Sequence, residues 1–264
     1  MLLDVIERKP ESDDGLSKPP VVFLHGLFGR ARNFGFFQRR IGEFRRTLAL
    51  DLRNHGDSPH GPADYPTMAE DVYETLKAHD AIPAAIVGHS MGGKTAMMLA
   101  LRHPAAVERL LVADIAPGAG GFQQSHTLAA DLAALPFPAS LNRTEADALL
   151  SRVIPEADVR NLMLQNLRLG EKPGWTIGIH EIASAMPEIV GWPPVPQETN
   201  FTGRTLFVSG GKSRYIQPSN YPEMKHLFPH YHLETIPDAG HWLHAEKPME
   251  FLSILEGFLN ELTL

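Results

Sequence analysis

Short, wholly apolar runs alternate along the chain with longer stretches of helical periodicity, and that rhythm predicts a mostly parallel sheet flanked by helices. Val21-Val22-Phe23-Leu24 is apolar on both faces and ends at a glycine-containing loop, as a strand covered on both sides does. Thr47-Leu48-Ala49-Leu50, closed by Asp51, predicts a second strand. Ala85-Ile86-Val87, Leu110-Leu111-Val112-Ala113 and Leu206-Phe207-Val208 predict three more. Leu233-Glu234-Thr235-Ile236 mixes polar with apolar residues and is expected near an edge. Helices are predicted over Phe34 to Phe44, Met68 to Leu76, Gly93 to Leu101 and Tyr221 to Leu227. A last one, Pro248 to Leu262, opens on proline at a first-turn position and carries Phe251, Ile254, Leu255 and Phe258 at helical spacing.

The alternation stops between residues 118 and 202. No continuous apolar strand occurs there; Leu128, Leu132, Leu135 and then Ala146, Leu149, Leu150, Val153 give amphipathic helix periods instead. Breaker clusters flank the segment, Pro117-Gly118-Ala119-Gly120-Gly121 at its entry and Gly191-Trp192-Pro193-Pro194-Val195-Pro196 at its exit. The expected organisation is one α/β core built from residues 1–117 and 203–264. A helical cap, 118–202, is expected to sit on the C-terminal edge of the sheet. There is no internal repeat.

Composition narrows the chemistry. The 264 residues carry 24 Lys+Arg against 31 Asp+Glu, a formal net charge of −7, and no basic run beyond Arg39-Arg40 or Arg45-Arg46. A nucleic-acid partner is not expected from such a balance. There is no Cys, so disulfides, thiolate zinc sites and a thiol nucleophile are excluded together. The acidic N-terminal stretch has no apolar signal region, and no apolar run approaches the roughly 18 residues of a membrane span. A cytoplasmic location is the expectation, and the oligomeric state is unspecified.

Gly88-His89-Ser90-Met91-Gly92 follows a predicted strand and precedes a predicted helix, the setting in which G-x-S-x-G forms a nucleophile elbow. Ser90 must adopt strained backbone angles to lift its hydroxyl out of the sheet, and glycines on either side let strand and helix approach. The helix start also aims free N–H groups, beginning with that of Met91, at a developing oxyanion. A serine hydroxyl needs a base. Among 13 histidines, His241 in Ala239-Gly240-His241-Trp242 lies after the last strand, at the edge where open α/β sheets place their sites. His244 is the runner-up, and His89 is expected to be structural. His25-Gly26-Leu27-Phe28-Gly29 follows the first strong strand, so the Leu27 N–H is the expected second oxyanion donor.

The segments HGLFG (25–29), DLRNHGDSP (51–59), GHSMGGK (88–94), DIAP (114–117), GGKSRYI (210–216) and AGHWLHAEKP (239–248) together resemble the α/β-hydrolase superfamily. Within it they are similar to the small YbfF-type bacterial esterases and their mitochondrial relatives. The resemblance implies an α/β-hydrolase fold and a carboxylester or acyl-thioester hydrolase, with Ser90, Asp114 and His241 as nucleophile, acid and base. It also exposes a departure from the superfamily's commoner arrangement, in which the acid follows the strand after the cap. That loop reads Ser209-Gly210-Gly211-Lys212-Ser213-Arg214-Tyr215-Ile216 here and holds no carboxylate. Asp114, one strand beyond the nucleophile's, keeps the Ser–acid–His chain order. Asp238, three residues from His241, is the rival and more plausibly a turn former.

The expected reaction therefore runs through an acyl-enzyme on a small ester or thioester, with no metal or organic cofactor. Carbon–carbon bond hydrolysis or perhydrolysis by the same three residues is the alternative within the fold, and a ligand receptor on a hydrolase scaffold the alternative outside catalysis. Phe28, Tyr215 and Trp242 adjoin these motifs and are candidates for the substrate pocket, with core packing equally open to them. Asp51, Arg53 and His55 suggest a metal site less than a brace beside the oxyanion loop. His230 and His232 lack a third ligand nearby, and His180-Glu181 is not followed by the second His of H-E-x-x-H. Lys94 lies in a first helical turn, where a cation is disfavoured, and pairs either with a carboxylate or with an anionic substrate.

Overall fold

The computed structural model describes residues 1–119 and 123–260. Seven strands form one sheet: β1 (Val5–Arg8), β2 (Val21–Leu24), β3 (Thr47–Leu50), β4 (Ala84–His89), β5 (Val107–Ala113), β10 (Arg204–Gly210) and β11 (Tyr231–Ile236). Their order across the sheet is β1-β3-β2-β4-β5-β10-β11. Only the β1–β3 pair is antiparallel. All six predicted strands are present, and β11 lies at an edge. β1 is additional.

Successive side chains of a strand point to opposite faces, and here both faces are apolar. Val22, Leu24, Leu48, Leu50, Ile86, Leu110, Val112 and Phe207 join one buried cluster with α3 (Tyr65–Ala78), α4 (Met91–Arg102) and α9 (Tyr221–Leu227). Val21, Phe23, Ala49, Ala85, Val87, Leu111, Ala113, Leu206 and Val208 join the other with α2 (Gly35–Ile41) and α11 (Pro248–Asn260). The short α1 (Asp13–Leu16) and α10 (Leu243–Glu246) complete the helices that flank the sheet.

Boundaries moved in small, explicable ways. Residues 31–34 of the loop after β2 wind into a 3₁₀ turn, and the expected Phe34-to-Phe44 helix shortens to α2. The helix after β3 begins earlier than expected, at Tyr65, because the Asp64 carboxylate caps it by accepting the Thr67 N–H at 2.6 Å. The helix after Ser90 starts at Met91, two residues before the predicted Gly93. The expected helix end at Leu262 and the entry glycines Gly120 and Gly121 lie outside the described residues.

Between β5 and β10 stand α5 (Gln123–Ala133), α6 (Arg143–Leu150), α7 (Ala157–Leu164) and α8 (Ile179–Val190). Two miniature antiparallel ladders lie among them: β6 (Ser140–Leu141) with β8 (Gly170–Glu171), and β7 (Leu167–Arg168) with β9 (Gly174–Trp175). Leu132, Ala146 and Leu150 are fully buried, and their cluster is continuous with the α3–α4 side of the core. No helix among the described residues is long and apolar enough to cross a membrane.

Candidate functional site

β4 ends at His89, and α4 begins at Met91. The single residue between them, Ser90, has φ 53° and ψ −118°, a conformation that side chains rarely adopt. Its own N–H is tied to the Ala113 carbonyl at 3.0 Å. The elbow is tight enough to demand glycine at 92, where a Cβ would stand 2.3 Å from the Leu24 carbonyl oxygen.

Asp114 follows β5 at φ 52°, with its N–H donating to Val208 O at 2.8 Å across the gap to β10. This anchoring turns its fully buried carboxylate toward the loop between β11 and α10. There His241 completes a chain of contacts: Nδ1 lies 2.8 Å from Asp114 Oδ2, and Nε2 lies 3.0 Å from Ser90 Oγ. A carboxylate accepts only, so Nδ1 carries the proton and Nε2 presents its lone pair to the serine hydroxyl. Asp114 is further satisfied by the Gly210 N–H on Oδ1 at 2.9 Å and by the Ser213 hydroxyl on Oδ2. The loop that lacks a carboxylate thus supplies donors to one. Asp238 stands apart, 72% exposed and paired with Lys212 at 3.2 Å.

Neighbouring rings hold the imidazole. Tyr215 stacks on His241 with centroids 3.7 Å apart and planes at 12°, whereas Trp242 lies 6.2 Å away and tilted. Burial, with the Asp114 carboxylate nearby, pushes the Tyr215 phenol up. His89, behind the elbow, donates from Nε2 to the His241 carbonyl at 2.9 Å, and burial keeps it well below the ordinary histidine range. His244 is buried and stacked on Phe34, and desolvation followed by the charge of His241 lowers it to about 4. Its place is in the packing.

Leu27 lies in the loop after β2, and Met91 is the first residue of α4, where no helical carbonyl reaches the N–H. Phe28 is 5% exposed at φ 62°. The sequence left Lys94 between a carboxylate and an anionic substrate. Its buried ammonium donates to two main-chain carbonyls, Gly118 O at 2.8 Å and Gly191 O at 2.7 Å, at either end of the inserted segment. Desolvation lowers it to about 8.

Asp51, Arg53 and His55, weighed for a metal, each make contacts within the protein. Asp51 accepts the Ala31 N–H at 2.6 Å and the Asp57 N–H at 3.0 Å, and Arg53 pairs with Asp71 through Nε at 2.6 Å and Nη2 at 2.9 Å. His55 uses both ring nitrogens on main-chain groups. His230 and His232 are exposed. One residue at the site escaped the sequence reading altogether: Asn166, from the inserted segment, whose Nδ2 donates to Phe28 O at 2.7 Å. No local pattern signals a contact 138 residues away.

A family model described as the alpha/beta hydrolase fold matches residues 19–248, and the chain belongs to that family. Among its relatives, the sn-1-specific diacylglycerol lipase ABHD11 of Mus musculus is 42% identical over 258 residues, covering 94% of this chain and 83% of that protein. Esterase YbfF of Escherichia coli (strain K12) is 32% identical over 243 residues, covering 92% and 93%. The solved structure of a marine microorganism esterase superposes with a TM-score of 0.89 at 33% identity, over 97% of this chain and 99% of the other. The chain is thus an α/β hydrolase whose relatives bear the names of esterases and lipases.

Proposed function

We propose that this protein is a serine hydrolase that cleaves carboxylic esters or acyl thioesters of small molecules through an acyl-enzyme. The reading is carried by the contact chain from Ser90 Oγ to His241 Nε2 and from His241 Nδ1 to the buried Asp114 carboxylate. Ser90 Oγ attacks the acyl carbon while His241 Nε2 takes its proton; Asp114 holds the imidazole and stabilises the imidazolium. The N–H groups of Leu27 and Met91 stabilise the oxyanion. Collapse of the tetrahedral intermediate breaks the bond to the alcohol or thiol, which leaves with the proton from His241. Water, deprotonated by the same nitrogen, then attacks the acyl-enzyme, releasing the acid and restoring Ser90. The names of the relatives support ester substrates. The α5-to-α8 segment acts as a cap, with Leu128, Leu132 and Leu135 limiting the acyl chain and Phe28, Tyr215 and Trp242 walling the pocket.

The test combines turnover of a short-chain aryl ester with labelling by a fluorophosphonate. The wild-type protein is expected to add one phosphonate, at Ser90, and to turn over repeatedly. Ser90→Ala is expected to lose both while its circular dichroism is unchanged. Full activity in Ser90→Ala ends the reading, and single labelling without multiple cycles favours a receptor.

A further inference from the structure

Three successive peptide units of the loop after β2 are each held by a different buried side chain. The Gly26–Leu27 unit is held through its carbonyl: Gly26 O accepts Nδ1–H of His25 at 2.8 Å and the Gly29 N–H at 2.9 Å. A trans peptide is planar, so fixing that oxygen fixes the Leu27 N–H in the opposite direction. The Leu27–Phe28 unit is held through its N–H, which donates to Nε2 of His55 at 3.1 Å. The Phe28–Gly29 unit is held through its carbonyl, which accepts from Nδ2 of Asn166.

The two histidines are interlocked. His55 donates from Nδ1 to Arg53 O at 2.9 Å, which leaves the lone pair on Nε2 for the Phe28 N–H. His25, in the same tautomer, reaches the other way: its Nε2 accepts the Leu52 N–H at 3.0 Å, in the loop that carries His55. The rings stand 5.0 Å apart, and both side chains are almost wholly buried. Burial keeps His25 below its ordinary range and brings His55 to about 3, so both stay neutral and able to accept. Asn166 comes from the inserted segment, between α7 and β7, and is itself fully buried, with its main-chain carbonyl accepting the Thr176 N–H at 2.8 Å.

We propose that His55 and Asn166, with His25, are positioning residues for the oxyanion site, locking the peptide units around Leu27 so that its N–H is in place before substrate arrives. This rests on the serine-hydrolase reading above. It makes the oxyanion site a joint product of the core, through His55, and of the inserted segment, through Asn166. Loss of either hold frees a loop whose Phe28 sits at φ 62°, a conformation it leaves readily when released.

His55→Leu, His55→Gln, Asn166→Leu and the wild type are compared in kcat, KM and inhibition by an alkyl boronic acid, whose tetrahedral serine adduct places an oxygen in the oxyanion site. Concentrations are set by active-site titration with the phosphonate. Each leucine variant is expected to lose about 10- to 100-fold in kcat, below the full loss of a donor, with KM within about twofold. Boronate affinity should fall in step with kcat/KM, and His55→Gln, whose Oε1 can accept where Nε2 did, should recover most of both. Wild-type kcat per titrated site in both leucine variants overturns the proposal, as does a loss that leaves boronate affinity unchanged. If one leucine variant does not fold, the other decides. Ser90→Ala in the same assay separates the outcomes: if it is inactive while the leucine variants are not, the serine-hydrolase reading stands and the positioning role alone falls.

Discussion

At Asp114 one carboxylate serves an imidazole, a main-chain N–H and a hydroxyl, and its burial leaves no water to replace them. Asp114→Asn keeps the shape but turns an acceptor into a donor, which favours the wrong tautomer of His241. We expect kcat to fall about 10⁴-fold with little change in the urea midpoint. Asp238→Asn, at an exposed carboxylate, should leave turnover near wild type; the reverse pattern would move the acid's role to Asp238. The histidines set a second expectation. Burial lowers His25, His55, His89 and His244 below the ordinary value near 6.5. The unfolded chain therefore binds more protons than the folded one once pH falls below about 6.5. Their contribution is complete above that pH and is lost progressively as pH falls toward the folded values, about 4 for His244 and about 3 for His55. The urea midpoint should drop between about pH 7 and pH 5, and His55→Gln should flatten that slope. A midpoint independent of pH in that range would contradict it.

The strand–turn–helix element around Ser90 was legible because its glycines answer to backbone, not to side chains. At Gly92 an added methyl meets the Leu24 carbonyl, which belongs to a central strand and cannot yield. Gly92→Ala is expected to cost about 3 kcal/mol, the upper end for overpacking, as read from urea unfolding. A neutral result would mean that the elbow is looser than its geometry. The strands buried on both faces were equally legible, since continuous apolar runs such as Val21–Leu24 have few other uses. β1 was not: Val-Ile-Glu-Arg alternates in exposure at an antiparallel edge, and its polar half hides it. The two-residue ladders leave no periodicity to detect. Ser90, His241 and Asp114 could be placed because each closes or follows a strand end. Asn166 could not, since only the folded inserted segment brings it to Phe28.

Across the whole molecule, one apolar cluster runs from the α3–α4 face of the sheet into the segment between β5 and β10. Leu128 and Leu135 are only partly buried within it, so they can be enlarged with less strain than Leu132. On the proposed cap reading, Leu128→Trp and Leu135→Trp should shift the preferred acyl chain toward shorter esters in a series of p-nitrophenyl substrates. An unchanged profile in both would put that face away from the substrate. The three left-handed positions at the site, Phe28, Ser90 and Asp114, carry a different consequence. None is glycine, although glycine would hold the same backbone with less strain; packing at Phe28 and hydrogen bonds at Asp114 offset that strain, whereas the small Ser90 side chain does so least. At Ser90 the chain is thus less robust than its own architecture permits, and on the proposed function it is the hydroxyl's work that keeps it so. A lineage released from that work would drift toward glycine there and become sturdier as it fell silent. In a descendant, glycine at position 90 would be the fossil of an abandoned trade.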